Sequence, residues 1–363
     1  MLIRSQVLQL LLLVSTCCEV TAFVGYSPHS QSVSLAHGSP SSSRQRSAWA
    51  PLALSAESSL SSTPSSSSTT PTTEYQVFNA DAATEEWELD CYSRPVVVNG
   101  KKLWEVLITD SAGSFRFRKE LPSNQVNSKT LRQIVDDLME EATVKPNIIR
   151  FFRGAMFNMI NIALSELTVT AKPSRCTFAL AAWLEERHAN VYPLMENFNA
   201  NMVGSSAPSF LDVRTSIKMP DALRGEYYAF VGLPVAEFLP GGGVDPNNIG
   251  VGRLCPLPAG LPADSFVQGI VILTNRAEGL AAWLAGTEVV ALQCDLRKRC
   301  LTMETDIDTQ FLMAKLNDDQ RAEGVIFEQG KEELQGLHFV SVQETEDDDP
   351  AGFWLLRELP AGI

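Results

Sequence analysis

Glu86-Trp87-Glu88-Leu89-Asp90-Cys91-Tyr92 alternates polar and apolar side chains without a break. A period of two marks a β-strand with one face against a core. The alternation returns in Leu103 to Thr109 and in Ser114 to Lys119, and Pro95, Asn99-Gly100 and Gly113 separate the three runs. Downstream the period changes. Asn127 or Ser128 can cap a helix whose apolar residues, Leu131, Ile134, Val135, Leu138 and Met139, are spaced to form one buried stripe. Pro146 precedes a strand from Ile148 to Phe152, and Met156, Met159, Ile160, Ala163, Leu164 and Leu167 line a second helix. A short strand around Leu167–Ala171 and a third helix, Cys176 to about Asn190, buried through Leu180, Trp183 and Leu184, complete the series. The order βββαβαβα is that of a ribonuclease-H-like domain, and it sets the expected fold class: α/β, with two mixed-sheet domains.

The second domain is expected from Tyr227 to Leu233, Phe266 to Thr274, Val289 to Leu296 and Phe339 to Val342 as strands. Glu278 to Ala285 and Asp318 to Leu334 read as helices, and Phe353 to Leu359 as a closing strand. Between the domains, Asn197, Asn199, Asn201, Gly204, Ser205, Ser206 and Pro208 crowd residues 196–219 without apolar periodicity, as a linker would.

Charge divides at the same place. Residues 85–195 carry 14 Lys/Arg and 14 Asp/Glu, whereas residues 196–363 carry 12 against 25. The N-terminal α/β domain (85–195) is therefore neutral and the C-terminal one (220–363) acidic. A chain of this balance lacks the overall basic footprint of most nucleic-acid binders, so any RNA contact must fall on the first domain or on a local patch.

The first 73 residues read as an address. Arg4 and the apolar run from Val7 to Val14 make residues 1–22 a signal peptide ending at Ala22. The run is too short for a stable membrane anchor. Residues 23–73, rich in Ser, Thr and Pro, have the composition of a disordered transit peptide. A signal followed by a transit stretch, with Phe23 at the junction, resembles the bipartite presequence of algae with secondary plastids. The five remaining cysteines, Cys91, Cys176, Cys255, Cys294 and Cys300, are scattered and form no Cys-x-x-Cys pair, which suits a reducing compartment better than secretion.

Catalytic chemistry finds few of its parts. A two-metal nuclease needs several converging carboxylates. Asp90 with Glu140 or Glu141 could supply two, but the next strand offers Arg150-Phe151-Phe152-Arg153 instead. His188 and His338 fall in different domains, and Gly241-Gly242-Gly243 lacks the Lys-Ser/Thr of a phosphate loop. Glu304, Asp306 and Asp308 read as a solvated turn, and Cys294 and Cys300 offer at most a weak redox pair. No catalytic residue, metal site or cofactor is expected.

The Arg-Phe-Phe-Arg strand carries two readings: core packing, or arginines on phosphate beside aromatics that stack bases. Alternation would put Arg150 with Phe152 on one face and Phe151 with Arg153 on the other. Arg94, Lys101, Lys102 and Arg175 sit in loops or turns where phosphate contact and ordinary surface charge are both open.

Five stretches together carry a resemblance. They are Trp87-Glu88-Leu89-Asp90-Cys91-Tyr92-Ser93-Arg94-Pro95, Gly100-Lys101-Lys102-Leu103-Trp104-Glu105, Asn124-Gln125-Val126-Asn127, Ile149-Arg150-Phe151-Phe152-Arg153 and Gly352-Phe353-Trp354-Leu355-Leu356-Arg357. From about Trp87 to Leu359 the chain resembles the TAB family of chloroplast translation activators. The resemblance implies a non-enzymatic protein of the plastid stroma that binds the single-stranded leader of the PsaB mRNA. It also implies support of photosystem I assembly, with translation or assembly factors as further partners and no integral membrane span. The alternative is a protein-binding assembly factor with little RNA affinity. The expected RNA contacts are Arg94, Lys101, Lys102, Arg150, Phe152, Arg153 and Arg175, and Trp354, Leu355 and Leu356 are the expected functional C-terminal element.

Overall fold

The computed structural model describes residues 72–203, 216–247 and 249–358. The signal peptide, nearly all of the transit stretch, the middle of the 196–219 segment and Leu359 lie outside the described residues. The first half runs β1 (Thr73–Val77), β2 (Glu86–Val98), β3 (Lys101–Asp110), β4 (Phe115–Leu121), α1 (Ser128–Glu141), β5 (Ile148–Phe151), α2 (Phe157–Leu164), β6 (Thr170–Pro173) and α3 (Phe178–Asn190). Its six-stranded sheet has the order β1-β4-β3-β2-β5-β6. β1 to β2 pair antiparallel along that order, and β5 and β6 join parallel to β2. The fold is mixed α/β, as expected. β1 adds a strand to the expected set, and the ribonuclease-H-like reading stays an expectation.

Local chemistry explains these elements. Asn99 and Gly100 both take positive φ in the β2–β3 turn, the conformation that an Asn-Gly pair accepts at least cost. The Asn127 side chain accepts the Thr130 N–H and caps α1, whose five expected apolar residues are all buried. Those residues pack with α2 on Trp87, Leu89, Cys91, Val106 and Ile108, covering one face of the sheet. α3 covers the other face through Leu180, Trp183 and Leu184 against Leu107. β2 is thus a central strand buried on both faces, so its polar residues lie inside too.

The second half continues with β7 (Ile217–Lys218), β8 (Tyr227–Pro234), β9 (Val251–Leu254), β10 (Phe266–Leu273), α4 (Ala277–Thr287), β11 (Val289–Asp295), β12 (Cys300–Thr305), β13 (Thr309–Lys315), α5 (Asp318–Glu333), β14 (Leu337–Gln343) and β15 (Gly352–Arg357). Two mixed sheets, β8-β10-β14-β15-β9 and β11-β12-β13-β7, share one hydrophobic core with α4 and α5. Asn317 and Gln320 form a reciprocal capping box at the start of α5. The solvated turn expected at Glu304 is corrected: Glu304 lies buried on β12, and the turn comes after it, at Asp306, where φ is 51°. Cys176 and Phe178 belong to the first half in sequence but pack in this second core.

Candidate nucleic-acid interface

The polar face of β2 organises a buried charge cluster. Asp90 faces two arginines: Nη1 of Arg94 donates to its Oδ2 at 2.9 Å, and Nε of Arg153 to its Oδ1 at 3.1 Å. One strand over, Glu105 of β3 accepts from Arg94 at 3.0 Å, Arg118 at 2.6 Å, Arg187 at 2.7 Å and the Tyr192 hydroxyl at 2.6 Å. Burial opposes ionisation of both acids, but the facing guanidiniums outweigh it. Arg153 and Arg94 hold Asp90 below the usual carboxylate range, and Arg94 and Arg187 do so for Glu105. Breaking such a cluster from one side leaves an uncompensated buried charge, which costs about 3–5 kcal/mol.

A second network ties the two halves together. Arg150 bridges Glu86 of β2 and Glu288, the residue between α4 and β11, with 2.7 Å contacts to each. Lys172 reaches the same Glu288 at 3.1 Å. Arg253 of β9 donates to Oε1 of Glu88 at 3.2 Å, and Oε2 of Glu88 accepts the Leu180 N–H at 2.8 Å. That second bond satisfies one of the open donors in the first turn of α3, whose N-cap Thr177 makes no side-chain cap. Burial raises the carboxyl of Glu88 to about 7, more than Arg253 and the Leu180 N–H lower it. Arg175 donates to Glu304 of β12 at 2.6 Å, and Arg357 of β15 to Glu185 of α3 at 2.7 Å.

Of the seven expected RNA contacts, Arg94, Arg150 and Arg153 are buried and matched to carboxylates. Arg175 is half-buried and paired. Lys101 and Lys102 are exposed at the β2–β3 turn. The alternation expected for Arg150 to Arg153 fails at its last residue. β5 ends at Phe151, so Arg153 is free of the strand's alternation and swings over Phe152. Its guanidinium lies 4.5 Å from the Tyr92 ring centroid and 4.7 Å from that of Phe152. Both rings are half-buried. Arg153 is itself buried and covers one side of each ring, so what the stack turns outward is the open part of the two aromatics, the kind of surface on which an unstacked base packs.

Trp354, Leu355 and Leu356 are buried on β15, between β14 and β9. All six residues of β15 are buried, so the strand packs on both faces within the second half.

Sequence reading gave no role to Glu88, Glu105, Arg187 and Tyr192. Their partners are 82 to 165 residues away for the longest links, beyond any local period. One signal was present: charged residues alternating with large apolar ones in a strand that helices flank on both faces. His188 sits on α3 with its ring edge-on to Tyr192, 5.1 Å away. His338 is buried, accepts the Leu292 N–H on Nε2 at 2.9 Å and lies 2.8 Å from the Gly336 carbonyl through Nδ1. Burial and Lys331 depress it to about 3. Cys294 is opposite Leu301 and Cys300 opposite Asp295, which turns the two thiols to opposite faces of the hairpin. Among the described residues no group of three or more His, Cys, Asp or Glu side chains is placed to hold a metal ion. None of their helices is long and apolar enough to cross a membrane.

Two family models match the chain. Residues 86–187 match the model described as RNA-binding protein Tab2/Atab2 N terminal, and residues 206–357 its C-terminal domain. The chain is 34% identical over 292 residues to the chloroplastic protein TAB2 homolog of Arabidopsis thaliana, covering 76% of this chain and 75% of that one. It is 33% identical over 291 residues to the chloroplastic TAB2 homolog of Zea mays, covering 76% and 72%. Among solved structures, a chain from the simian T-cell lymphotropic virus intasome in complex with PP2A regulatory subunit B56 gamma aligns at 11% identity. That alignment covers 43% of this chain and 67% of the other, with a TM-score of 0.22, too low to assign a fold.

Proposed function

Because this chain belongs to the Tab2/Atab2 family of RNA-binding proteins, we propose that it is a plastid RNA-binding factor that promotes translation of the PsaB mRNA and, through it, photosystem I assembly. The observation that carries the reading is the match of both family domains, which together span most of the described residues. It acts by binding, without a reaction of its own, in the stroma, where residues 1–73 deliver it. The contact surface we assign is the half-open Tyr92–Arg153–Phe152 stack, with Lys101 and Lys102 as the exposed phosphate contacts of the first half. Arg94, Arg150 and Arg175 position this surface through their carboxylate partners.

Immunoprecipitation of the tagged chain from isolated plastids, with sequencing of the co-purified RNA, tests the reading in place. Enrichment of the PsaB leader over other plastid transcripts is expected. Recovery of ribosomal or photosystem proteins without leader enrichment favours the second reading, a protein-binding assembly factor. The acidic balance of residues 196–363 is the observation behind that alternative.

A further inference from the structure

The second half is acidic as a whole, yet its cations are not evenly spread. Five of its twelve Lys/Arg residues, Arg297, Lys298, Arg299, Lys315 and Arg321, meet at one corner. Arg297-Lys298-Arg299 forms the tip of the β11–β12 hairpin, and all three are exposed. Lys315, also exposed, ends β13 directly opposite Cys300, the residue that follows the tip. Arg321, on the first turns of α5, donates through Nε to the Leu296 carbonyl.

The tip is a built structure. Oδ1 of Asp295 accepts the N–H groups of Arg297 and Lys298 at 3.0 and 2.8 Å. Arg299 adopts a positive φ of 55°, and its carbonyl accepts the Leu316 N–H at 2.9 Å. The backbone that carries the three cations is therefore fixed before any ligand arrives, which lowers the ordering cost of contact. Two charges are partly offset, Lys298 by Asp295 at 3.3 Å and Arg299 by Asp318. Both pairs are surface pairs, which contribute about 0–1 kcal/mol and exchange readily. Arg297 and Lys315 form no ion pair with the described residues. The five cations face three acids at the same corner, Asp295, Asp318 and Asp319, and at physiological salt the Debye length of about 8 Å screens the more distant acids. A polyanion at this corner meets cations first.

We propose that the Arg297–Arg299 hairpin, with Lys315 and Arg321, is a second RNA contact that grips the phosphate backbone without reading bases. The site carries no exposed aromatic of its own, so it positions a strand whose bases are received elsewhere. This rests on the RNA-binding reading given above. It also explains how a half that is −13 in formal charge belongs to an RNA-binding protein.

The experiment is a salt titration of the full mature chain with a fluorescently labelled oligouridylate. The test variant is R297S/K298S/R299N/K315S, with Asn at 299 because it tolerates the positive φ. A control variant, K218S/R224S, removes two exposed cations elsewhere, both paired with Asp221. Each lost phosphate contact flattens the plot of log K against log salt by about 0.7. The four-residue variant should lose roughly 2–3 units of slope while its thermal melt stays at the wild-type position, and the control should keep the wild-type slope. An unchanged slope in the four-residue variant, or an equal loss in the control, overturns the second contact while leaving RNA binding intact. A wild-type chain that does not bind at all overturns both.

Discussion

At the residue scale, the acids of β2 and β3 hold the first half together through arginines that look, in sequence, like phosphate ligands. Asp90→Asn removes the charge shared by Arg94 and Arg153 and should destabilise the fold by about 3–5 kcal/mol in urea unfolding. Lys101→Ala, on an exposed turn, should cost under about 0.5 kcal/mol. Equal effects of the two would contradict the buried cluster. Titration offers a second test at this scale. Glu88 rises from an ordinary 4.5 to about 7 on folding, so its contribution is full at low pH and is lost as pH rises from about 4.5 through 7. His338 is held at about 3, so its contribution is full above about 6.5 and is lost as pH falls below that. The two slopes oppose each other between about 4.5 and 6.5, and below that window the loss from His338 stands unopposed. Glu88→Gln removes one of them. Its stability relative to wild type should therefore climb from pH 5 to pH 7.5, by up to about 1.4 kcal/mol per pH unit. A difference that is flat or falls across that range would show that Glu88 stays ionised.

At the element scale, β15 decides the second half. It lies between β14 and β9 with Trp354, Leu355 and Leu356 buried, and Trp354 fills core space against α4, near Ala281. Removing a core Trp costs about 3–5 kcal/mol, a large part of the roughly 5–15 kcal/mol that keeps a domain folded. Trp354→Ala with Leu355→Ala and Leu356→Ala should therefore lose the cooperative thermal transition of the second half. A normally folded triple variant that no longer supports photosystem I would instead make this strand a partner surface. The helices and the strands rich in β-branched and aromatic residues were legible because one period governs each: α1 and β10 sit within a residue or two of where the pattern puts them. β12 and β13 were not, because Glu304, Asp306 and Asp308 read as solvent-facing until Arg175, 129 residues away, supplies the buried partner of Glu304. The strands β1, β7 and β9 were not expected either, and β7 lies inside the stretch read as a linker. For the candidate site the same limit holds: the sequence offers the arginines, but only the packed halves show which ones are already spoken for.

At the scale of the whole molecule, the family assignment and the charge distribution meet. Most arginines of the first half are buried against carboxylates, and exposed cations collect at Lys101-Lys102 and at the Arg297–Arg299 corner, so RNA affinity should come from a few local contacts and be strongly salt-dependent. Delivery belongs to this scale too. A reporter carrying residues 1–75 should enter the plastid, and Phe23→Glu should leave it outside; indifference to Phe23 would remove the bipartite presequence. Equilibrium binding of the purified mature chain to the PsaB leader across a salt series measures the proposed RNA recognition without intermediaries. Saturable binding that weakens linearly in log salt, with a shallower slope in Lys101→Ser/Lys102→Ser, is the predicted result. A folded chain with no measurable affinity for the leader at low salt would contradict the account.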